Sequence, residues 1–177
     1  MKSLDRDPIV NAINKGIKPD IETVITHGRY RAAIILIYAG IDAMAYLDMP
    51  AGQTEVRRDD FIKWTGKYIR FPCKEQLTGE DLYGARCAML HTYGVESRMS
   101  NSGTCRMIGY MDKGVPEVRY NPSIKKDLVM VSIPGIKDAL FAGIDKFLVD
   151  SFANKAKAPI VEERLKKFVL YIPSEAS

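Results

Sequence analysis

Arg86 and His91 stand with four residues between them in the segment D-L-Y-G-A-R-C-A-M-L-H-T-Y, positions 81–93, late in a stretch that is otherwise mostly apolar. Arginine offers a planar, permanently charged fork that matches phosphate oxygens. Histidine titrates near neutral pH and can move a proton to or from a ribose 2′-hydroxyl or a leaving 5′-oxygen. Together they have the chemistry for a metal-independent RNA cleavage in which the 2′-oxygen attacks the adjacent phosphorus. On an ideal helix two residues spaced i, i+5 lie about 140° apart around the axis and about 7.5 Å along it. They cannot share one narrow stripe. They converge on one ligand only where the helix ends at His91, or where a second copy of the helix packs against the first across a two-fold axis.

Asp42 is the third residue of interest, a carboxylate in the run I-Y-A-G-I-D-A-M-A-Y-L. Burying it alone costs several kcal/mol or drives it to take up a proton, so it needs a partner. Three readings stay open. Asp42 orients Arg86 or His91 at a cleft, it forms a structural ion pair with an arginine between core helices, or the helix simply turns it toward an edge. His91 has its own bland alternative, since a cationic side chain suits a helix C-terminus. Tyr93 and Arg98 follow closely and either line a cleft or belong to a plain loop. A functional pair must face a cleft, whereas a structural one is buried with its hydrogen bonds satisfied internally. Cys87 lacks an acidic orienter beside it in sequence and reads as a small apolar filler. His27, before Gly28, reads as a bend or surface residue.

The elements that must position these residues are mostly helical. Asp7-Pro8 opens a first helical turn with Ile9, Val10 and Ile13 on one side and Gly16 as a stop. Lys18-Pro19-Asp20 starts a second helical run that reaches about Leu47, bends at Gly28 and closes at Asp48-Met49-Pro50. Positions 51–58 are polar and read as a loop. Asp59 and Asp60 place negative charge at the front of a helix carrying Phe61, Trp64 and Tyr68. Thr78-Gly-Glu-Asp81 resembles a capping box and opens a helix to about His91, with Leu82, Ala85, Met89 and Leu90 as its apolar stripe.

The pattern then changes, and short β-like runs at 105–111, 118–120 and 128–133 predict a small antiparallel hairpin or meander. Pro134-Gly135 opens an amphipathic helix with Ile136, Leu140, Phe141, Ile144, Phe147, Leu148 and Phe152 on one face. Pro159 starts a last helix with Val161, Leu165, Phe168 and Val169 inward, ended by Pro173. No repeat, low-complexity tract or linker divides the chain, so one domain spans 1–177.

The bulk numbers narrow the classes. At 177 residues, 46% hydrophobic and 27% charged, the chain has an ordinary globular composition. A net charge of +4 permits contact with phosphate without demanding it. Three cysteines, Cys73, Cys87 and Cys105, form no metal-ligand spacing and suit a reducing, cytoplasmic compartment. The start, M-K-S-L-D-R-D-P-I-V, lacks the apolar core of a secretory signal. The apolar run 32–47 contains Asp42 and falls short of the about 20 residues a bilayer span needs, so it reads as a core helix and no membrane is expected. No phosphate loop, dinucleotide fingerprint or nucleophile elbow occurs. Neither a structural metal site nor a cofactor is expected.

The segment R-C-A-M-L-H, 86–91, resembles the R-x4–6-H motif of the HEPN superfamily, small helical-bundle proteins that include many RNase toxins and defence ribonucleases. The resemblance covers the order of helices from about 20 to 92 and the two helices after 135. It implies a mainly α, HEPN-like helical bundle with a small antiparallel insertion at about 104–133. It implies a homodimer whose two motifs build a composite cleft, with Arg86 and His91 catalytic, Asp42 in support, and Tyr93 and Arg98 binding substrate. RNA would be the ligand, and an antitoxin or nucleotidyltransferase-type protein a further partner. The chain departs from the family at Cys87, where a polar residue is common, and in the insertion itself. The alternative function is a non-catalytic helical binding or scaffold protein in which the Arg–His pair is structural.

Overall fold

The computed structural model describes Asp7 and residues 9–168. Among these, a π-helical segment (Val10–Ile17) leads into α1 (Lys18–Thr26), followed by α2 (Tyr30–Asp48), α3 (Arg58–Tyr68), α4 (Gly79–Thr92) and α5 (Arg98–Asn101). Three strands come next, β1 (Met107–Met111), β2 (Val118–Tyr120) and β3 (Leu128–Ser132), then α6 (Ile133–Ala153) and α7 (Ala158–Leu165). The architecture is mainly helical with one small three-stranded mixed sheet.

Helix α2 is the centre of the bundle, packing against α1, α3, α4, α6 and α7. Its buried set, Ala33, Ile34, Ile37, Tyr38, Ile41, Met44, Ala45 and Leu47, makes it the expected core helix. It ends where Met49, held extended (φ −53°, ψ 149°) as a residue before proline prefers, hands over to Pro50. Arg164 of α7 then donates to the carbonyls of Leu47 (3.1 Å), Met49 and Pro50 (2.8 Å). Those bonds satisfy acceptors that a helix C-terminus leaves open. Between α3 and α6, Trp64, Tyr68 and Phe147 pack ring against ring at 5.3–6.2 Å. Burying each such ring stabilises the fold by about 2–3 kcal/mol.

Four local expectations change. Gly16 does not stop a helix. The chain passes through it in wide turns, the Lys18 N–H reaching the Ile13 carbonyl five residues back. The wide turn accommodates Pro19, which lacks an N–H and crowds the carbonyl before it. Gly28 does not bend one long helix but separates two, at a left-handed φ of 67° that a side chain would strain. Leu90 and Phe152 are 37% and 36% exposed, outside the core stripes assigned to them. Val169 and Pro173 lie outside the described residues.

The β-region falls where the pattern placed it, but it is not an antiparallel meander. The order is β1-β3-β2, with β1 parallel to β3 (Met107↔Leu128 to Met111↔Ser132) and only β2 antiparallel (Val118↔Val131). Strand β3, L-V-M-V-S, carries fully buried Val129 and Val131 and takes the central place. Val129 and Val131 alternate with the less buried Leu128 and Met130 on a strand hydrogen-bonded along both edges. The sheet leans on α4 through β1.

Candidate functional site

Asp42 and Arg86 meet between α2 and α4, with Arg86 Nε donating to Asp42 Oδ2 at 2.7 Å. Neither is sealed in, their side chains being 27% and 23% exposed. The burial pattern of α4 explains the geometry. Asp81, Leu82, Gly84, Ala85, Ala88 and Met89 face inward, which leaves Tyr83, Arg86, Cys87 and Leu90 as an outward stripe of i, i+3, i+4, i+7 spacing. Asp42 lies on the margin of α2 that faces this stripe, next to buried Ile41.

The pair opens onto a groove of about 280 Å³ lined by Asp42, Val56, Arg57, Arg58, Phe61, Tyr83 and Arg86. Three guanidiniums therefore face one carboxylate. Arg57 and Arg58 enter from the start of α3, whose N-terminal dipole adds positive potential. Tyr83 sits among the cations, with Arg86 Cζ 5.7 Å and Arg58 Cζ 5.8 Å from its ring centroid. Phe61 meets Tyr83 edge-on at 5.5 Å and lies 5.9 Å from Arg86 Cζ. These contacts fix the guanidinium planes while leaving their N–H edges free.

Burial pushes the Asp42 carboxyl above its ordinary value of 3.8, and the bond and charge of Arg86 only partly oppose this. For Arg86 burial acts downward, but the Asp42 bond and charge outweigh it and the pKa rises, so the guanidinium stays charged. Burial, followed by the neighbouring Cys87, raises the Tyr83 hydroxyl, which is therefore neutral and able to donate. Among the described residues Arg86 Nη1 and Nη2 make no hydrogen bond to protein. A carboxylate on Nε thus holds the guanidinium of a residue that lines the groove and leaves its terminal nitrogens without a protein acceptor.

The remaining sequence-predicted residues are not brought to this groove. His91 is exposed on the last turn of α4, on the side of Gly84 and Ala88. Tyr93 closes the helix in a left-handed conformation (φ 56°), its N–H bonding to the carbonyls of Ala88 and Met89, and is 59% exposed. Arg98 is exposed at the start of α5. Within one chain, then, the structure joins Asp42 to Arg86 and leaves His91, Tyr93 and Arg98 outside. Among the described residues no group of three or more His, Cys, Asp and Glu could hold a metal.

Sequence reasoning missed Arg57, Arg58 and Tyr83. The available signal is an Arg-Arg pair at 57–58, where the polar pattern predicts a loop and α3 instead begins at Arg58. Comparison with protein-family models, with curated proteins and with solved structures found no match.

Proposed function

We propose that the protein binds the phosphate groups of RNA in the arginine groove, and that two copies together cleave it without a metal. One observation carries this reading: Arg86, held through Nε by Asp42, lines a groove that Arg57 and Arg58 also line. Guanidinium forks in a partly enclosed, cationic groove are suited to phosphate above other common anions. In this reading Arg86 holds phosphate, Asp42 orients Arg86, and His91 transfers the proton. Because His91 points away from the groove of its own chain, cleavage requires a second α4 packed across a two-fold axis. The HEPN resemblance implies the same arrangement and the same toxin or defence role.

The exposure of His91 outside the groove favours the second reading, a protein that binds RNA and does not cut it. A time course of total RNA in excess EDTA separates the two, run on the parent, His91→Ala and Arg86→Ala. Cleavage by the parent, lost in both variants while they stay folded, is expected for the ribonuclease. No cleavage, or equal cleavage by all three proteins, removes the catalytic role and leaves the binding function.

A further inference from the structure

The groove holds more cationic donors than one backbone linkage can use. An internal phosphodiester carries one negative charge and two non-bridging oxygens, whereas a phosphomonoester carries about −1.5 to −2 near pH 7 and three strong acceptor oxygens. The lining offers three guanidiniums, Arg57, Arg58 and Arg86, against the single carboxylate of Asp42. That leaves an excess of two positive charges. Among the described residues neither Arg57 nor Arg58 forms an ion pair, so the excess is not neutralised by protein.

The first turn of α3 strengthens the case. Asp59 and Asp60 share that turn but do not line the groove. Asp60 faces back to the Arg57 N–H (2.8 Å) and Gln53 Nε2 (2.5 Å). The α3 N-terminus therefore reaches the groove through its cap residue Arg57 and its first residue Arg58. Size argues the same way. About 280 Å³ lies just below the roughly 300–1,000 Å³ range of drug-sized ligand sites. That volume suits a phosphate with one attached nucleoside.

We infer that the groove is a seat for a phosphomonoester dianion, the terminal phosphate of an RNA chain or of a mononucleotide. Arg57, Arg58 and Arg86 supply the guanidiniums, and Tyr83 packs beside two of them in the lining. This rests on the phosphate-binding reading above and specifies its ligand.

Titration calorimetry with a short 2′-O-methyl oligouridylate, which cannot be cleaved by its own 2′-oxygen, tests the assignment. The oligomer is used with a 5′-phosphate, with a 3′-phosphate, and with hydroxyls at both ends, beside uridine 5′-monophosphate. A terminal phosphate is expected to tighten binding by about tenfold, the worth of a charge-assisted hydrogen bond. That gain should fall to about twofold or less in Arg57→Gln and Arg58→Gln, both at exposed positions, where Arg58 gives up only a surface contact with the Tyr83 ring. It should also shrink as pH drops through about 6, where a monoester takes up its second proton. The end that gains, or gain by the mononucleotide alone, identifies the source of the phosphate. Equal affinity for all oligomers, with binding weakened in Arg86→Lys, overturns the monoester seat and leaves the RNA-phosphate reading standing. Binding that no arginine substitution weakens overturns both.

Discussion

Two Asp–Arg ion pairs meet on α4. At the helix start, Asp81 accepts from the Thr78 N–H (3.0 Å), the Arg106 N–H (2.8 Å), Arg106 Nε (3.1 Å) and Arg106 Nη2 (2.5 Å). Arg106 Nη2 also reaches the Gln76 carbonyl at 3.0 Å, and its guanidinium lies 4.8 Å from the Tyr120 ring centroid. Five positions on, Arg86 gives Asp42 a single bond and lines a groove. The side chain of Asp81 is 3% exposed and that of Asp42 27%. The residue types are the same, and what differs is how many of their bonds the protein itself closes. The first pair ties the start of β1 to the capping box of α4, and its carboxylate accepts four bonds from the protein itself. The second is held firmly enough to be oriented and loosely enough to take a ligand.

That contrast is broken most directly by comparing stability. Asp81→Ala leaves Arg106 without its carboxylate in a half-buried setting and opens the cap as well, and should cost about 3–5 kcal/mol. Arg86→Ala removes a partly exposed pair and should cost about 1 kcal/mol. Urea unfolding of both variants measures the difference, and equal losses would make the Asp42–Arg86 pair as structural as the other. Gly84→Ala probes the packed side of α4 further. A Cβ there would lie 2.4 Å from Cys105 Sγ and 3.3 Å from Ser97 Oγ, an overpacking worth about 1–3 kcal/mol. Gly84→Ala with Cys105→Ala should recover most of that loss. A double variant no more stable than the single one would mean that backbone, not the thiol, sets the limit.

The legible parts of the molecule were those that depend on local pattern. The Thr78–Asp81 capping box forms with both reciprocal bonds, at 3.0 and 3.1 Å. The apolar run around Asp42 becomes the central helix, and Ile136, Leu140, Ile144 and Phe147 are buried as their spacing predicts. Asp42 and Arg86, 44 positions apart, were paired in sequence only as one of two alternatives. Burial alone predicts a partner, but its identity depends on how helices cross. Strand order was illegible for a similar reason. Strands β1 and β2 are consecutive in the chain yet non-adjacent in the sheet, and nothing in three short apolar runs encodes which one takes the middle. Arg57 and Arg58 went unnoticed because a groove between a loop, α3 and α4 has no sequence spacing of its own.

The smallest expected effect is also the most specific to the groove. Burial sets the Asp42 carboxyl above its ordinary 3.8, so the folded chain holds this proton more tightly than the unfolded one. The stability this contributes is fully present below the unfolded value and is lost as pH rises through the folded value. Ligand binding follows the same direction. As pH falls through the folded Asp42 value, the groove loses its one negative charge, and under the proposed phosphate-binding function its affinity for a phosphodiester should strengthen. The change should be about fivefold at most, because a part-exposed charge pair is worth under about 1 kcal/mol. An oligouridylate with hydroxyl ends is the right ligand, since its linkages hold a constant charge across this range. Asp42→Asn keeps an acceptor for Arg86 Nε and removes the titration, so subtracting its pH profile from the parent's cancels every other titrating group. A difference that rises toward low pH assigns the proton to Asp42 and places its carboxylate within electrostatic reach of the bound phosphate. Identical profiles would return Asp42 to the structural role that Asp81 plays at the other end of the comparison.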